Sequence, residues 1–228
     1  CIIPYTRGRI LSLPTDKAVS EAKALSEKGY GEIVLTGIEI ASYGKDLKDG
    51  SSLKDAVLAV CEAVPDMRIR LGSIEPTAVT EEFCRTLSSC TNLCPHFHLS
   101  LQSGCDRTLE AMKRKYNTAD FENTVQLLRA YFPNCALTAD LITGFPGETE
   151  EDHLATLDFI GKIGFSAMHV FPYSRRPGTP ADKMPCQICR KVKERRAKEA
   201  SELAKQMQKR FIEEHEGKEF EVLFENEE

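Results

Sequence analysis

Apolar residues recur along the chain first at helical and then at strand-like spacing. A Thr15-Asp16 cap signal opens an amphipathic stretch at 15–28, and Gly29 stops it. The apolar face of this predicted helix consists of Ala18, Val19, Ala22 and Leu25. The short apolar run at 32–36 that follows is typical of a buried strand.

The same alternation continues to residue 171. It predicts helices at 52–63, 79–89, 118–132 and 149–163, and strands at 68–73, 96–101, 136–142 and 166–171. Strands separated by helices indicate parallel βαβ units, which right-handed crossovers curl into a (β/α) barrel or a doubly wound sheet. We therefore predict an α/β fold whose five strands are neighbours in one curved sheet, with the ligand site beyond their carboxyl ends.

The C-terminal part has a different pattern. Residues 187–214 predict one long polar helix, and residues 219–225 alternate like a single strand. One strand is not stable alone, so it either pairs with the main body or begins a small β-domain. The predicted organisation is a main domain at 1–185, a connecting helix at 186–216 and the start of a β-domain at 217–228.

Composition narrows the class of protein. The 228 residues are 41% apolar, which is enough to bury the core of one large domain, and the net charge of −5 gives no general attraction to nucleic acid. Nine scattered cysteines, with neither a secretory signal nor a bilayer-length apolar run, indicate a reducing cytoplasm and no membrane partner. Because the first residue is Cys1 rather than methionine, we expect an excised piece of a longer protein.

Polar residues and glycines cluster where each predicted strand ends. Any one of them is explained by a turn or a helix cap, but five clusters at equivalent positions favour a ring of donors and acceptors for a large polar cofactor. The clusters are Thr36, Gly37 and Glu39; Ser73 and Glu75; Ser100, Gln102, Ser103 and Gly104; Asp140 and Gly144; and Tyr173, Ser174 and Arg175.

Several segments together resemble the radical-SAM methylthiotransferases, in the order in which that family carries them. Residues 1–9 resemble the end of the family's CxxxCxxC motif, with Cys1 as its third cysteine. The other matching segments are 68–76, 96–106, 112–116, 140–149 and 169–179. The resemblance covers nearly the whole chain and implies a partial (β/α) radical-SAM barrel, followed at 217–228 by the start of a TRAM-like tRNA-binding domain.

The family has three branches, whose targets are isopentenyladenosine in tRNA, threonylcarbamoyladenosine in tRNA, and an aspartate of a ribosomal protein. The segments 35–39 and 71–76 look most like the threonylcarbamoyladenosine branch. The isopentenyl branch tends to carry Gly-Gln-Asn after the first of these strands and Ser-Pro-His after the second. The other two branches remain alternatives, and an α/β nucleotide-binding module without a cluster is the non-enzymatic alternative.

The resemblance implies the chemistry as well. A [4Fe–4S] cluster held by three thiolates leaves one iron open for S-adenosyl-L-methionine, whose reductive cleavage starts radical chemistry. The implied product carries a methylthio group at C2 of N6-threonylcarbamoyladenosine 37 in the tRNA anticodon loop. A second cluster in an N-terminal domain, and an electron donor such as flavodoxin or ferredoxin, are implied too. With one of three cluster cysteines, this chain alone is expected to be inactive.

The same resemblance assigns cofactor contacts. Around S-adenosylmethionine it implies Thr36, Gly37 and Glu39 near the methionine amine, Glu75 and Ser100 near the ribose, Gln102 and Arg114 near the carboxylate, and Gly144 and Val170 around the adenine, with Asp140 completing the set. Cys1 is the implied metal ligand.

Other motifs have simpler explanations. Cys186-x-x-Cys189 has zinc or redox spacing but lacks a second pair, and the cysteines at 84, 90, 94, 105 and 135 fit small buried thiols. His96 and His98 share one strand face, as a metal pair or as packed barrel-lining residues. The basic run 190–196 fits either a solvated helix face or a contact with the tRNA backbone.

Overall fold

The computed structural model describes residues 2–224 and shows five parallel strands alternating with helices. The strands are β1 (Glu32–Leu35), β2 (Arg68–Leu71), β3 (His96–Gln102), β4 (Ala136–Thr143) and β5 (Ala167–Pro172). The helices are α1 (Ile3–Arg7), α2 (Thr15–Glu27), α3 (Leu53–Ala63), α4 (Glu81–Leu87), α5 (Asp106–Ala111), α6 (Thr118–Tyr131), α7 (Glu150–Ile163) and α8 (Arg190–Glu213). Short 3-10 turns lie at Ile40–Ser42, Pro76–Ala78 and Pro180–Lys183. The predicted α/β class with parallel strands is confirmed.

The sheet consists of two ladders rather than one continuous one. β1 pairs with β2, and β3, β4 and β5 pair in that order; the isolated parallel bridges Ile69–Leu93 and Ile74–Leu99 connect the two groups. β2 ends at Leu71, before the predicted residue 73. The reason is that the next backbone groups change partner: Ile74 N–H donates to His98 O at 2.8 Å instead of continuing the β1 ladder.

The strands have one buried face and one open face. The buried rows of β2, β3 and β4 are at most 1% exposed and pack against the helices; they are Ile69, Leu71, Phe97, Leu99, Leu101, Leu137, Ala139 and Leu141. Side chains alternate along a strand, so the residues between them point the other way. We call that side the open face: Glu32, Val34, Arg68, Arg70, His96, His98, Ser100, Gln102, Ala136, Thr138, Asp140, Ile142, Ala167, His169 and Phe171.

Side-chain caps explain the starts of α4, α6 and α7, whereas α2 begins at Thr15 after Pro14 without a side-chain cap, so the cap predicted at Thr15-Asp16 is wrong. α6 and α7 open with reciprocal capping boxes, Asn117 with Asp120 and Thr149 with Asp152, and both begin within one residue of the predicted position. α4 is shorter than the predicted 79–89 because the Thr80 hydroxyl caps the N–H of Phe83 at 3.1 Å. The residues before Thr80 belong to the Pro76–Ala78 turn instead.

The long C-terminal helix α8 packs onto the sheet. It contacts β5, β4 and α7, and its buried residues are Arg196, Ala200, Ala204 and Met207. These positions recur about once per turn and share one helix face. The two alanines let the helix backbone approach the strands closely.

The end of the described chain differs from the prediction. Residues 218–224 form no strand, so the strand predicted at 219–225 is wrong over its described part. A strand needs a partner backbone, and none pairs with this segment among residues 2–224. Glu225 and Cys1 lie outside the described residues. Within those residues, no helix combines the length and apolar character required to cross a bilayer.

Candidate active site at the carboxyl ends of the strands

Most of the predicted cofactor residues lie at one edge of the sheet. Thr36 and Gly37 follow β1, Glu75 follows β2, Gln102 ends β3 and Gly144 follows β4. Because the strands are parallel neighbours, these positions share one mouth.

A cavity of about 490 Å³ opens beside β1 at this mouth. Thr36, Gly37 and Glu39 line it together with residues 7–13 and one side of α3. The Glu39 carboxylate accepts a hydrogen bond from the Ser42 hydroxyl at 3.0 Å. The N-terminal segment that follows the proposed cluster cysteine therefore lies against the residues predicted to meet the methionine amine.

Gly72 holds the first two strand ends together. Its N–H donates to Leu35 O at 2.8 Å, and a Cβ added to it would lie only 2.7 Å from the Thr36 hydroxyl oxygen. A side chain at this position would push Thr36 out of place.

Glu75, Ser100 and Arg114 form a second group at the mouth. Arg114 Nη1 lies 3.4 Å from Glu75 Oε1, and the Ser100 N–H donates to Ile74 O at 3.1 Å. Arg114 Nε is buried with no hydrogen-bond partner among the described residues. A carboxylate acceptor beside an unused guanidinium donor fits a ligand with both hydroxyl and carboxylate groups, as S-adenosylmethionine has.

Tyr116 supports this group from behind. Its hydroxyl donates to the backbone oxygens of Ser100 and Leu101, the latter at 3.1 Å. Burial raises the pKa of Tyr116 to about 12, so the phenol remains a donor at neutral pH.

Gln102 ends β3 in a left-handed conformation with φ +66°, at an irregularity in the β3–β4 register. Shortly after it, a Cβ on Gly104 would lie 2.9 Å from the Cβ of Phe159. Gly104 therefore allows the chain to pack closely on α7 as it leaves the mouth.

Gly144 and Val170 each pack against other parts of the protein, which the sequence alone does not reveal. Gly144 has φ +70°, and a Cβ on it would lie 2.2 Å from Lys193 Cγ of α8. Val170 pairs with Leu141 and packs against the hydrophobic core, on the face opposite the open one. Any contact of Val170 with a ligand on the open face must therefore use its main chain.

Asp140 is not at a strand end. β4 continues to pair with β5 as far as Thr143–Pro172, so Asp140 lies within the strand, on the open face. Its Oδ2 is 3.3 Å from His98 Nε2. The expected strand boundary at 142 and the position of Asp140 at the mouth are both corrected by this pairing.

The two histidines of β3 share one hydroxyl. Thr138 Oγ1 lies 3.1 Å from His96 Nε2 and 2.9 Å from His98 Nδ1, and desolvation lowers the pKa of His96. Among residues 2–224, no three His, Cys, Asp or Glu side chains are grouped as a metal site. The geometry favours the barrel-lining role. Thr138 and His169 were missed as site residues, although the paired alternation of polar residues on β3, β4 and β5 was a signal for them.

The remaining motifs have structural roles. Cys84, Cys94 and Cys135 are buried as expected, Cys90 and Cys105 are half-buried, and Cys186 and Cys189 are exposed free thiols. In the basic run, Arg190 contacts Glu194 at 2.6 Å and Arg195 contacts Glu150 at 2.7 Å. Arg196 is buried against Glu148 at 2.7 Å. These arginines are thus engaged by carboxylates of the chain itself.

Comparison with known proteins identifies the family of the chain. Residues 1–160 match the model of the Radical SAM superfamily. The threonylcarbamoyladenosine tRNA methylthiotransferase MtaB of Thermotoga maritima is 42% identical over 99% of this chain and 52% of its own length. A tRNA-2-methylthio-N(6)-dimethylallyladenosine synthase of Acetivibrio thermocellus is 39% identical over 99% of this chain and 47% of its own length. The chain thus spans about half the length of these relatives.

A solved structure shows the same fold at low identity. Coproporphyrinogen III oxidase from Escherichia coli, described as a radical SAM enzyme, superposes with a TM-score of 0.65 at 14% identity, over 87% of this chain and 48% of its own. With parallel strands, polar groups gathered at their carboxyl ends, and the match over residues 1–160, this chain belongs to the radical SAM superfamily.

Proposed function

We propose that the protein carrying this chain is a radical-SAM methylthiotransferase that modifies C2 of N6-threonylcarbamoyladenosine 37 in the anticodon loop of tRNA. One observation carries the proposal: Thr36, Glu75 and Arg114, each on a different family motif, lie around one mouth of the sheet. Relatives named as enzymes of tRNA methylthiolation match 99% of the same chain.

S-adenosylmethionine, when bound and reduced, supplies a 5′-deoxyadenosyl radical. In the proposed arrangement, Glu75 would accept hydrogen bonds from ribose hydroxyls and the partly exposed Arg114 guanidinium would donate to the methionine carboxylate. Thr36, Gly37 and Glu39 line the cavity on the amine side. Cys1 is the proposed ligand of the [4Fe–4S] cluster, and a second cluster and a flavodoxin or ferredoxin donor complete the proposed holoenzyme in the cytoplasm.

The segments after β1 and β2 favour the threonylcarbamoyl substrate. Gly37-Ile38-Glu39 stands where the isopentenyl branch tends to carry Gly-Gln-Asn, and Ser73-Ile74-Glu75 where it tends to carry Ser-Pro-His. Relatives of both kinds match at similar identity, 42% and 39%. The choice of branch therefore rests on these segments.

The proposal is tested by nucleoside mass spectrometry of tRNA from cells with and without the gene. We expect 2-methylthio-N6-threonylcarbamoyladenosine to disappear from the deletion strain, and the form without the methylthio group to accumulate. The wild-type gene should restore the product, whereas a Glu75→Gln gene should not. If the methylthiolated isopentenyladenosine disappeared instead, the protein would belong to the isopentenyladenosine branch. Unchanged tRNA would refute the proposal.

A further inference from the structure

The open face carries a row of aromatic rings beside a carboxylate. The rings of His98 and His169 are 5.8 Å apart, and those of His169 and Phe171 are 6.4 Å apart at an interplanar angle of 30°. His169 is exposed and Phe171 is 51% exposed, so both rings are open to a ligand on this face. Asp140 stands opposite His169 in the β4–β5 register. We call His98, Asp140, His169 and Phe171 the ring ladder.

The hydrogen-bond partners indicate which histidine nitrogens in and beside the ring ladder carry a proton. A bare nitrogen 3.3 Å from a carboxylate would be repelled, so His98 Nε2 carries a proton towards Asp140. In the neutral ring, His98 Nδ1 then accepts from Thr138, whose oxygen in turn accepts from His96 Nε2–H. His96 Nδ1 is left bare, which agrees with its being buried without a partner among the described residues.

In this series of hydrogen bonds, the Asp140 carboxylate is a hydrogen-bond acceptor. One oxygen faces the His98 N–H, and the side chain remains 30% exposed towards the open face. A carboxylate has about four acceptor positions, so others are available to an N–H donor. Exposed rings next to a free acceptor form a surface that suits a planar base with an exocyclic amine.

We propose that the ring ladder binds the adenine ring of the target nucleotide, stacked on His169 and Phe171 with its N–H edge towards Asp140. The inference rests on the proposed tRNA substrate and goes beyond it by assigning the base to these residues. Enzymes that modify a base must take it out of the stack into such a pocket.

The adenine of S-adenosylmethionine has the same chemistry, but depth favours the target base. Asp140 lies three residues before the end of β4, which at about 3.3 Å per residue places it about 10 Å below the strand end. Thr36, Gly37 and Glu75, three of the proposed cofactor residues, lie after their strands end. His98, Asp140 and His169 thus lie deeper than these three residues, on the same open side, and Phe171 lies one residue before the end of β5.

The test uses the full-length gene product with reconstituted clusters and bound S-adenosylmethionine. Two anticodon stem-loop RNAs are compared, one with the target adenosine and one with an abasic nucleotide at that position. We expect the wild type to bind the adenosine RNA more tightly. His169→Ala should reduce that preference about tenfold, equivalent to about 1.4 kcal/mol.

Three further variants sharpen the test. His169→Phe should retain the preference because it keeps a ring. Asp140→Asn should reduce it because one of the two acceptor oxygens becomes an NH2 donor, while the remaining oxygen is needed by His98. Tyr30→Ala removes another exposed aromatic side chain, 59% exposed, at the opposite end of β1, and should change nothing. Thermal unfolding of the His169 and Tyr30 variants should match that of the wild type, since both side chains are exposed.

The outcomes separate the two claims. If His169→Ala keeps the wild-type preference, the inference is overturned while the proposed function stands. If the RNA preference is unchanged but RNA-independent 5′-deoxyadenosine formation falls, the ladder serves the cofactor's adenine and the inference is also overturned. A wild type that binds both RNAs equally contradicts the proposed function together with the inference.

Discussion

At the scale of single residues, Gly144 is constrained twice. Its φ of +70° is unfavourable for any residue with a Cβ, and that atom would lie 2.2 Å from Lys193 Cγ. The sequence predicted Gly144 as a cofactor contact, since it follows a strand in a family motif. The approach of Lys193 could not be predicted, because it depends on how a helix distant in sequence packs on the sheet.

Gly144→Ala should destabilise the fold by about 2–5 kcal/mol, combining left-handed strain with overpacking against Lys193. Gly147→Ala is the matched control, since Gly147 has φ +83° and open space where its Cβ would be. Gly147→Ala should lower the free energy of unfolding by the left-handed strain alone, about 1–2 kcal/mol. Urea unfolding of both variants measures the difference, and equal losses would show that Lys193 moves aside without cost.

The buried pair of Arg196 and Glu148 gives a second prediction at this scale. Their side chains are 5% and 4% exposed, and Glu148 Oε1 also accepts the Gly144 N–H at 2.9 Å. Arg196→Met should cost about 3–5 kcal/mol, because it leaves the Glu148 carboxylate buried without its partner. Adding Glu148→Gln should recover part of this in urea unfolding. If the double variant were as unstable as the single one, the buried charge would not be the cause.

At the scale of elements, β1 and β2 are joined by an ion pair as well as by their ladder. Glu32 lies opposite Arg68 in the register, and its carboxylate takes hydrogen bonds from Arg70 at 2.6 Å and Arg68 at 3.0 Å. The Arg70 hydrogen bond is the largest cause that lowers the pKa of Glu32 to about 2, with burial acting in the opposite direction.

This lowered pKa predicts a pH dependence. Because the pKa is lower in the folded than in the unfolded state, the carboxylate stabilises the fold fully above about pH 4.5, and this contribution is lost as the pH falls towards 2. The stability difference between wild type and Glu32→Gln should therefore shrink over that range of pH. Urea midpoints at successive pH values measure it, with Glu21→Gln on the exposed side of α2 as control. A constant difference across the range would contradict the assignment.

The starts of α6 and α7 were predicted within one residue, for a physical reason. Caps such as Asn117 with Asp120 are local signals that can be found in a short window of sequence. The ends of β2 and β4 depend on partners far along the chain, through Ile74 with Leu99 and Thr143 with Pro172. The two ladders and the exact ends of β2 and β4 were consequently not predictable from periodicity.

At the scale of the whole molecule, the parallel order and the common mouth were predictable, because βαβ units impose them. The sequence predicted α8 as a long polar helix but not its packing. The buried face formed by Arg196, Ala200, Ala204 and Met207 was not identified. The ring ladder was missed because it requires the registers of three strands, β3, β4 and β5, to be known together.

We propose above all that the full-length protein carrying this chain cleaves S-adenosylmethionine at a cluster ligated by Cys1. The most direct test is release of 5′-deoxyadenosine under dithionite by the reconstituted full-length gene product, comparing Cys1→Ala with the exposed-thiol control Cys189→Ala. We expect Cys1→Ala to abolish the release together with the absorbance of one cluster, and Cys189→Ala to behave like wild type. Release at the wild-type rate from Cys1→Ala would contradict the account.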